Sequence, residues 1–401
     1  MRLHRNLVLA VIHALDLIYN EKEYADKVVQ KTLKLDKRWG VRDRKFVAET
    51  IYDMVRWKRL YNEIAGTKEH YSRDNLWKNF AVWAVLKGIK LPDWRYFEGT
   101  PTRRIKGKFD ELQSIRKYRE SIPDWMDETG EAELGKRWDD EIKELNKQAR
   151  VILRTNTLKT SRKELQKQLE KEEIFTEIVP QAPDALVLVE RKNVFLSQAF
   201  KSGFFEVQDA SSQLVAPFLD VKPGQKVIDT CAGAGGKTLH LASLMENKGQ
   251  IIAMDIYAHK LAELKKRAKR DGAHNIETRP IEGSKSIKKY KGKADRVLID
   301  APCSGIGVLK RNPDSKWKLN ADFLDRIKKT QAEILDQYAS MVKIGGKMVY
   351  ATCSILPSEN EKQIELFLAN HKEFVLIKDK KVSPATSGFD GFYMALMEKK
   401  S

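Results

Sequence analysis

Cysteine is scarce in this chain, and long apolar runs are absent. The 401 residues include only three cysteines, Cys231, Cys303 and Cys353. An odd and sparse set excludes a disulfide framework, and its spacing fits no zinc motif, so we expect no metal site. No apolar run approaches the roughly 20 residues that a membrane-spanning helix needs. The sequence therefore predicts neither a disulfide-stabilised domain nor a membrane protein.

A glycine-rich stretch, KVIDTCAGAGGKT from Lys226 to Thr238, lacks the glycines that two familiar nucleotide motifs require. A Walker A loop needs glycine where Cys231 stands, and the dinucleotide fingerprint needs glycine where Thr238 stands. Both motifs are excluded. What remains is a strand, a tight turn and a helix start, an arrangement that directs free backbone N–H groups at a nucleotide-like ligand.

Acidic residues are outnumbered by basic ones. The chain has 74 Lys and Arg against 56 Asp and Glu, a formal net charge of +18. This surplus favours a polyanionic partner, with nucleic acid as the first candidate and a merely soluble basic protein as the plainer alternative. The N-terminal apolar segment is interrupted by His13 and Asp16 and lacks a small-residue cleavage site. We therefore expect an amphipathic helix there and a cytoplasmic protein.

Hydrophobic periodicity divides the chain into three predicted parts. Residues 1–120 carry apolar side chains at helical spacing and predict a helical domain. Residues 121–204 predict a small α/β module, in which Ser161 and Glu164 have the spacing of a capping box. Residues 205–401 alternate strand-like and helix-like segments, which is typical of a mainly parallel sheet covered on both faces. The basic stretch 100–108 (TPTRRIKGK) is predicted to be a loop. It is a candidate phosphate contact, although for any single lysine a solvated surface loop is the favoured interpretation.

Residues 205–401 contain seven strand-like runs, and polar or nucleophilic residues follow several of them. The final two runs are expected to form an antiparallel edge of the sheet. Asp255 ends the second run, where a carboxylate commonly accepts hydrogen bonds from a ribose, although an N-cap role would also place Asp there. Asp300 and Cys303 follow the fourth run, and Cys353 follows the fifth. Because ligands bind at the carboxyl ends of such strands, we expect these side chains to lie beside the ligand.

Two thiols, a carboxylate and a nucleoside-like ligand suggest chemistry on a base. A thiolate added to carbon 6 of a pyrimidine makes carbon 5 nucleophilic enough to accept a methyl group. A carboxylate stabilises the added form, and a base must then remove the proton from carbon 5. The residues alone favour Cys303 as the nucleophile, because a Pro-Cys pair beside the acceptor is an obvious candidate. A nicotinamide oxidoreductase is disfavoured by the missing glycine.

Five motifs together resemble a known family: FEVQDASSQL, DTCAGAGGKT, DAPCSGIGVLKRNPDSKW, YATCSILPSENE and DGFYMA. The chain resembles the RNA cytosine-C5 methyltransferases, especially the bacterial Fmu/Sun type that modifies small-subunit ribosomal RNA. The resemblance is dense from about Asp124 onward and is looser over residues 1–120. It implies a Rossmann-like class I S-adenosylmethionine-dependent methyltransferase domain with seven strands, the last antiparallel. A small α/β module similar to RNA-recognition domains and an all-helical NusB-like domain are implied to precede it.

The resemblance also implies roles for individual residues. An S-adenosylmethionine cradle is implied for Cys231, Ala232, Gly233, Ala234, Gly235, Gly236 and Lys237, with Asp255 on the ribose, Glu282 near the adenine and Asp300 between cofactor and base. Cys353 matches the nucleophile and Cys303 the cysteine that assists product release, which reverses the choice made from the residues alone. Lys237 is implied to approach the base or the RNA backbone, and Lys310, Arg311 and Lys316 to contact RNA phosphates.

Two positions depart from the family pattern. Glu282 stands where Asp is usual, which adds one methylene to the carboxylate on the adenine side. Ala234 stands where many relatives have proline, which removes stiffness from the glycine turn.

The implied function is methylation of cytosine in folded RNA by a monomer that uses no metal. Ribosomal RNA, as 16S rRNA of the small subunit, is the first choice and transfer RNA the second. The competing hypothesis is an RNA-binding or ribosome-assembly factor that has kept a methyltransferase fold. The two cysteines and Asp300 argue against that hypothesis, because a pure binder needs no nucleophile.

Overall fold

The chain forms two compact units in a computed structural model that describes residues 2–401. One unit comprises Met1–Lys147 and Leu309–Ala321, and the other comprises Gln148–Val308 and Asp322–Ser401. The three-part division drawn from the sequence stays a prediction. Within residues 2–401, none of the helices combines the length and the apolar character needed to cross a bilayer.

The first unit is helical and contains a large apolar core. Its helices are α1 Arg5–Tyr19, α2 Ala25–Thr32, α3 Val41–Arg56, α4 Lys58–Ala65, α5 Arg73–Leu86, α6 Thr102–Leu112, α7 Arg116–Arg119, α8 Asp124–Leu134 and α9 Arg137–Leu145, with a 3-10 turn at Arg95–Phe97. Leu7, Val11 and Leu15 of α1 are buried in this core together with Ile51 and Phe80. Their helical spacing explains why an amphipathic helix forms here.

The predicted loop at 100–108 is wrong, because most of this stretch belongs to α6. Pro101 stands immediately before the first helical residue, a place that tolerates its missing N–H. Ile105 and Leu112 are both buried at a spacing of two helical turns. The apolar face, which the many basic residues obscured, decides the local structure.

The second unit contains a small antiparallel sheet. Its strands are β1 Ile152–Thr155, β2 Thr176–Ile178, β3 Ala185–Leu188 and β4 Phe205–Val207, joined by α10 Arg162–Lys171, a 3-10 turn at Val194–Leu196 and α11 Gln198–Lys201. The strand order is β2-β3-β1-β4. The capping box of α10 is confirmed, since Ser161 Oγ accepts from the Glu164 N–H and the Glu164 carboxylate accepts from the Ser161 N–H.

The large sheet of the second unit has seven strands. They are β5 Lys226–Asp229, β6 Gln250–Asp255, β7 Ile276–Pro280, β8 Ala294–Asp300, β9 Val342–Thr352, β10 Phe374–Val382 and β11 Phe392–Lys399. The helices are α12 Ala210–Gln213, α13 Val215–Phe218, α14 Gly236–Leu244, α15 Ala258–Asp271, α16 Ser284–Lys288, α18 Ala321–Ala339, α19 Glu361–Asn370 and α20 Pro384–Ser387, with 3-10 turns at Ile306–Val308 and Pro357–Glu359. α17, Ser315–Lys318, belongs to the helical unit instead.

The strand order of this sheet is β10-β11-β9-β8-β5-β6-β7. β5 to β9 pair in parallel, whereas β11 pairs antiparallel with both β9 and β10. Neighbouring residues such as Val227 and Ile228 point into different apolar cores, so both faces of the sheet are buried. The predicted seven-stranded fold with an antiparallel last strand is confirmed. The last strand does not lie at the edge but between β9 and β10.

Candidate active site

The glycine turn follows β5 and leads into α14. Gly235 has φ 90°, and a side-chain carbon added there would lie 2.5 Å from Leu264 Cγ. Only glycine combines that left-handed conformation with such close packing. Gly233 has φ 55° and has no atom within 4 Å of an added Cβ, so this part of the turn borders open space.

The open side of the turn lies next to the end of β6. Asp255 Oδ2 accepts a hydrogen bond from the Gly233 N–H at 2.8 Å, and its Oδ1 accepts one from the Tyr257 N–H at 2.8 Å. The next residue, Ile256, is 62% exposed although it is apolar. Glu282 is exposed shortly after β7, and its neighbour Ile281 donates to the Asp255 carbonyl at 3.0 Å. An open glycine turn, carboxylates and an exposed apolar side chain are suited to hold a nucleoside such as that of S-adenosylmethionine.

Two arginines hold carbonyl groups of the turn. Arg267 Nη1 donates to the Ala234 carbonyl at 2.7 Å, and its Nη2 donates to Glu206 Oε2 at 2.8 Å. Arg154 donates to the Gly236 carbonyl. Glu206 and Arg154 lie on strands of the small sheet, so that sheet braces the turn. The contact at Ala234 replaces some of the stiffness that proline would give at this position.

Lys237 and Asp300 form an ion pair beside the turn. Lys237 Nζ lies 2.6 Å from Asp300 Oδ2. Burial lowers the pKa of Lys237, whereas the Asp300 carboxylate raises it, with smaller contributions in the same direction from Cys353 and Asp229. The net result is that the pKa of Lys237 is raised. The lysine is therefore protonated at neutral pH and holds the carboxylate of Asp300 in place.

Cys303 and Cys353 lie next to each other at the carboxyl ends of β8 and β9. Their sulfur atoms are 3.3 Å apart, and both cysteines are free and half-buried. The hydrogen bond with Cys353, burial, and the charges of Cys353 and Glu359 raise the pKa of Cys303 well above its usual range. Cys303 therefore keeps its own proton at neutral pH.

Cys231 differs from the other two cysteines. Burial, followed by the charges of Asp229 and Asp300, raises the pKa of its thiol far above the ordinary value. Cys231 thus stays a neutral thiol in the wall of the glycine turn. Burial also raises the pKa of Asp229 to about 7, against the hydrogen bond that Thr238 Oγ1 donates to it at 2.7 Å.

The basic residues assigned to RNA phosphates lie in the segment Leu309–Ala321 of the helical unit. Lys316 is 0% exposed, and its Nζ contacts the carbonyl oxygens of Arg56, Glu120 and Ser121 and the Asn146 side chain. Lys310 is buried and pairs with Glu144 at 2.7 Å. Neither amine can reach a phosphate without leaving these partners, which argues against the predicted contacts. Arg311 is half-buried, and its role stays a prediction.

Sequence reasoning missed three residues that the structure places at the site: Ile256, Arg267 and Glu359. Glu359 has 0% exposure and contacts the loops that carry both cysteines. A signal for it exists in the sequence, because a serine follows each of the two cysteines and both serines bind this carboxylate. No comparable signal marks Arg267, whose partner Ala234 is distant along the chain. Across residues 2–401, no group of three or more His, Cys, Asp or Glu side chains is arranged to hold a metal ion.

The strand order, the glycine turn and the carboxylate after β6 define a Rossmann-like methyltransferase. The crystal structure of PH0851 is similar over 100% of both chains, with a TM-score of 0.85 and 27% identity. NSun6 from Pyrococcus horikoshii with SFG, an S-adenosylmethionine analogue, covers 71% of this chain and 100% of its own, with a TM-score of 0.65 and 21% identity. The predicted enzyme class and cofactor, S-adenosylmethionine, are confirmed.

Family models match two regions of the chain. The model of the 16S rRNA methyltransferase RsmB/F matches residues 216–398, and that of the RsmF/B-like ferredoxin-like domain matches residues 122–195. A probable ribosomal RNA small subunit methyltransferase B of Synechocystis is 35% identical over 70% of this chain and 67% of its own length. The one from Bacillus subtilis is 35% identical over 62% of this chain and 59% of its own. The chain belongs to the RsmB/F methyltransferase family, and the predicted resemblance is confirmed.

Proposed function

We propose that this protein methylates carbon 5 of a cytosine in small-subunit ribosomal RNA through a covalent bond between Cys353 and carbon 6 of the base. The observation that carries the proposal is the pair of sulfur atoms 3.3 Å apart, of which Cys353 acts electrostatically on Lys237, the partner of Asp300 at the glycine turn. The names of the relatives and of the family support ribosomal RNA as the substrate. The net charge of +18 suits a polyanionic partner.

The first step is addition to the base. Cys353 gives its proton to solvent and its sulfur forms a bond to carbon 6, which breaks the ring double bond and moves its electron pair to carbon 5. Asp300 hydrogen-bonds the ring nitrogen and exocyclic amine and so stabilises the added form, while Lys237 keeps this carboxylate oriented. When bound, S-adenosylmethionine supplies an electrophilic methyl group, and its binding is assigned to the glycine turn, Asp255 and Glu282.

The second step is release. Cys303, once it has given its own proton to solvent, accepts the proton from carbon 5 of the methylated base. The electron pair of that C–H bond restores the ring double bond, and the bond between carbon 6 and Cys353 breaks. The thiolate of Cys303 acts as the general base for this proton.

The experiment is incubation of the protein with labelled S-adenosylmethionine and total cellular RNA, followed by nucleoside analysis and mapping of the modified position. We expect 5-methylcytosine in small-subunit ribosomal RNA. If only transfer RNA is labelled, transfer RNA is the substrate, and the proposed methylation of cytosine still holds. RNA binding without any label would favour the non-catalytic assembly factor.

Two cysteine variants test the covalent step. Cys353→Ala should abolish both methylation and the protein–RNA adduct. Cys303→Ala should let an adduct accumulate that survives denaturing electrophoresis, because bond formation remains possible while release is blocked. Appreciable turnover by Cys353→Ala, or normal turnover by Cys303→Ala without an adduct, would contradict the assigned roles.

We propose a monomer that acts in the cytoplasm, since ribosomal RNA is its substrate, and that uses no metal, since the two thiols and Asp300 supply the required groups. Sedimentation of the purified protein and its activity in the presence of a chelator check these points. The logarithm of the RNA-binding constant should fall linearly with the logarithm of the salt concentration.

A further inference from the structure

A buried carboxylate connects the loops that carry the two cysteines. Glu359 ends the 3-10 turn Pro357–Glu359, and its side chain is not accessible to solvent. The hydroxyl of Tyr350 on β9 donates to the backbone carbonyl of Glu359 at 2.8 Å, which fixes Glu359 against the large sheet. A carboxylate in this position is costly to bury unless it accepts several hydrogen bonds.

Four hydrogen bonds reach this carboxylate. Oε1 accepts from the Ser304 N–H at 2.7 Å and from Gln331 Nε2 at 3.1 Å. Oε2 accepts from the hydroxyls of Ser304 and Ser354, each at 2.5 Å. The two serines directly follow Cys303 and Cys353 in the sequence. One side chain is therefore bonded to the residue next to each thiol.

The surrounding bonds make this connection stiff. Gln331 Nε2 also donates to the Pro302 carbonyl at 3.0 Å, on the other side of Cys303. The Gly307 N–H donates to the Cys353 carbonyl at 3.0 Å, so the cysteine loops are also joined through the backbone. A side chain added to Gly307 would clash with that carbonyl at 2.7 Å. The carboxylate thus completes a network with little freedom to shift.

We propose that Glu359 is a positioning residue that fixes the separation and relative orientation of the two thiols through Ser304 and Ser354. The inference rests on the proposed function for its catalytic meaning, because addition and release require the two sulfurs on one base. Ser354 serves the Cys353 side, and Ser304 serves the Cys303 side. Glu359 also places a negative charge near Cys303, which adds to the hydrogen bond with Cys353 and to burial in raising the pKa of that thiol.

The variants are Glu359→Gln, Ser304→Ala and Ser354→Ala, with Glu361→Gln as the matched control. Glu361 pairs with Lys381, and the same chemical change there leaves both cysteine loops untouched. The first measurement needs no RNA. Iodoacetamide alkylation of each cysteine is followed by peptide mass spectrometry, together with the melting temperature and the affinity for S-adenosylmethionine.

We expect Glu359→Gln to raise the alkylation rate of Cys303 by about fivefold or more, because a nearby negative charge is removed from a reactive thiol. The control should leave the ratio of the two rates unchanged. Affinity for S-adenosylmethionine should stay within about threefold, since the glycine turn lies on another loop. A purely structural role would lower the melting temperature and accelerate both cysteines alike.

The second measurement separates the two steps in single-turnover reactions with RNA. Ser354→Ala should slow adduct formation by about tenfold, whereas Ser304→Ala should slow release and let the adduct accumulate. Equal losses in both steps for both serines would overturn the inference, and so would unchanged rates in Glu359→Gln. If the wild type methylates no RNA, the proposed function fails while the alkylation ratio still decides the role of Glu359. If Glu359→Gln does not fold, the two serine variants decide it.

Discussion

Replacing Arg267 by methionine should weaken cofactor binding while leaving the fold intact. Methionine keeps an aliphatic stem of similar length but removes the guanidinium that donates to the Ala234 carbonyl at 2.7 Å. A hydrogen bond from a charged group contributes about 1.5–3 kcal/mol. At about 1.4 kcal/mol per decade, its loss limits the fall in affinity to roughly 10- to 100-fold. We expect about tenfold, because part of the lost energy is regained by solvation of the exposed carbonyl.

Arg270→Met is the matched control for this prediction. Arg270 pairs with the same carboxylate, Glu206, and with Asp271 at 3.0 Å, but it does not contact the glycine turn. Isothermal titration with S-adenosylmethionine should therefore show less than a threefold change for Arg270→Met. Equal losses in the two variants would mean that the effect runs through Glu206 and would refute the assigned contact. Melting temperatures of both variants show whether either loss merely reports unfolding.

Three further predictions address single sites. Gly235→Ala should lower stability by about 2 kcal/mol or more and abolish cofactor binding, because Gly235 has a positive φ and an added Cβ would clash with Leu264. Gly233→Ala should cost about 1 kcal/mol or less, because the space around Gly233 is open. Thermal unfolding of the two variants compares these costs. Burial lowers the pKa of His240 to about 4, so between pH 6.5 and pH 5 mainly the unfolded chain gains this proton, and stability should fall by about 1.6 kcal/mol over that interval. In urea unfolding at several pH values, His240→Gln should remove this contribution to the pH dependence of the free energy of unfolding. An unchanged pH dependence in the variant would contradict the assignment to His240. Lys316→Met should destabilise the helical unit by about 3–5 kcal/mol because four oxygens lose their donor, and a loss below about 1 kcal/mol would show that water replaces the amine.

The catalytic part of the chain is predictable because its signals are local. The strands β5, β6 and β8 are short apolar runs, and Asp255, Asp300 and Cys353 stand at or near the carboxyl ends of β6, β8 and β9. The rule that ligands bind at that edge then brings them together without any knowledge of the packing. The close approach of Cys303 and Cys353 follows from the pairing of β8 with β9.

The remaining features depend on contacts between distant parts of the chain. Lys316 is a basic residue in a basic segment, which indicates a surface, whereas buried lysines are rare and need specific partners. Its partners Arg56, Glu120 and Asn146 are far away in sequence. Glu359 is likewise one of two acids in its motif, and only the folded loops reveal which of them is enclosed. Periodicity and motif spacing carry no information about such contacts.

The segment Leu309–Ala321 has a consequence for the order in which the protein is made. The helical unit contains residues up to Lys147 and then this late segment, so its packing is incomplete until residue 321 has left the ribosome. At roughly 5–20 residues per second, synthesis of the intervening chain takes on the order of 10 to 35 seconds. During that interval the oxygens that later surround the Lys316 amine have no lysine to bind. A recombinant fragment that stops at residue 147 would remain in this nascent condition, and expressing the helical part alone requires the late segment to be grafted onto its end.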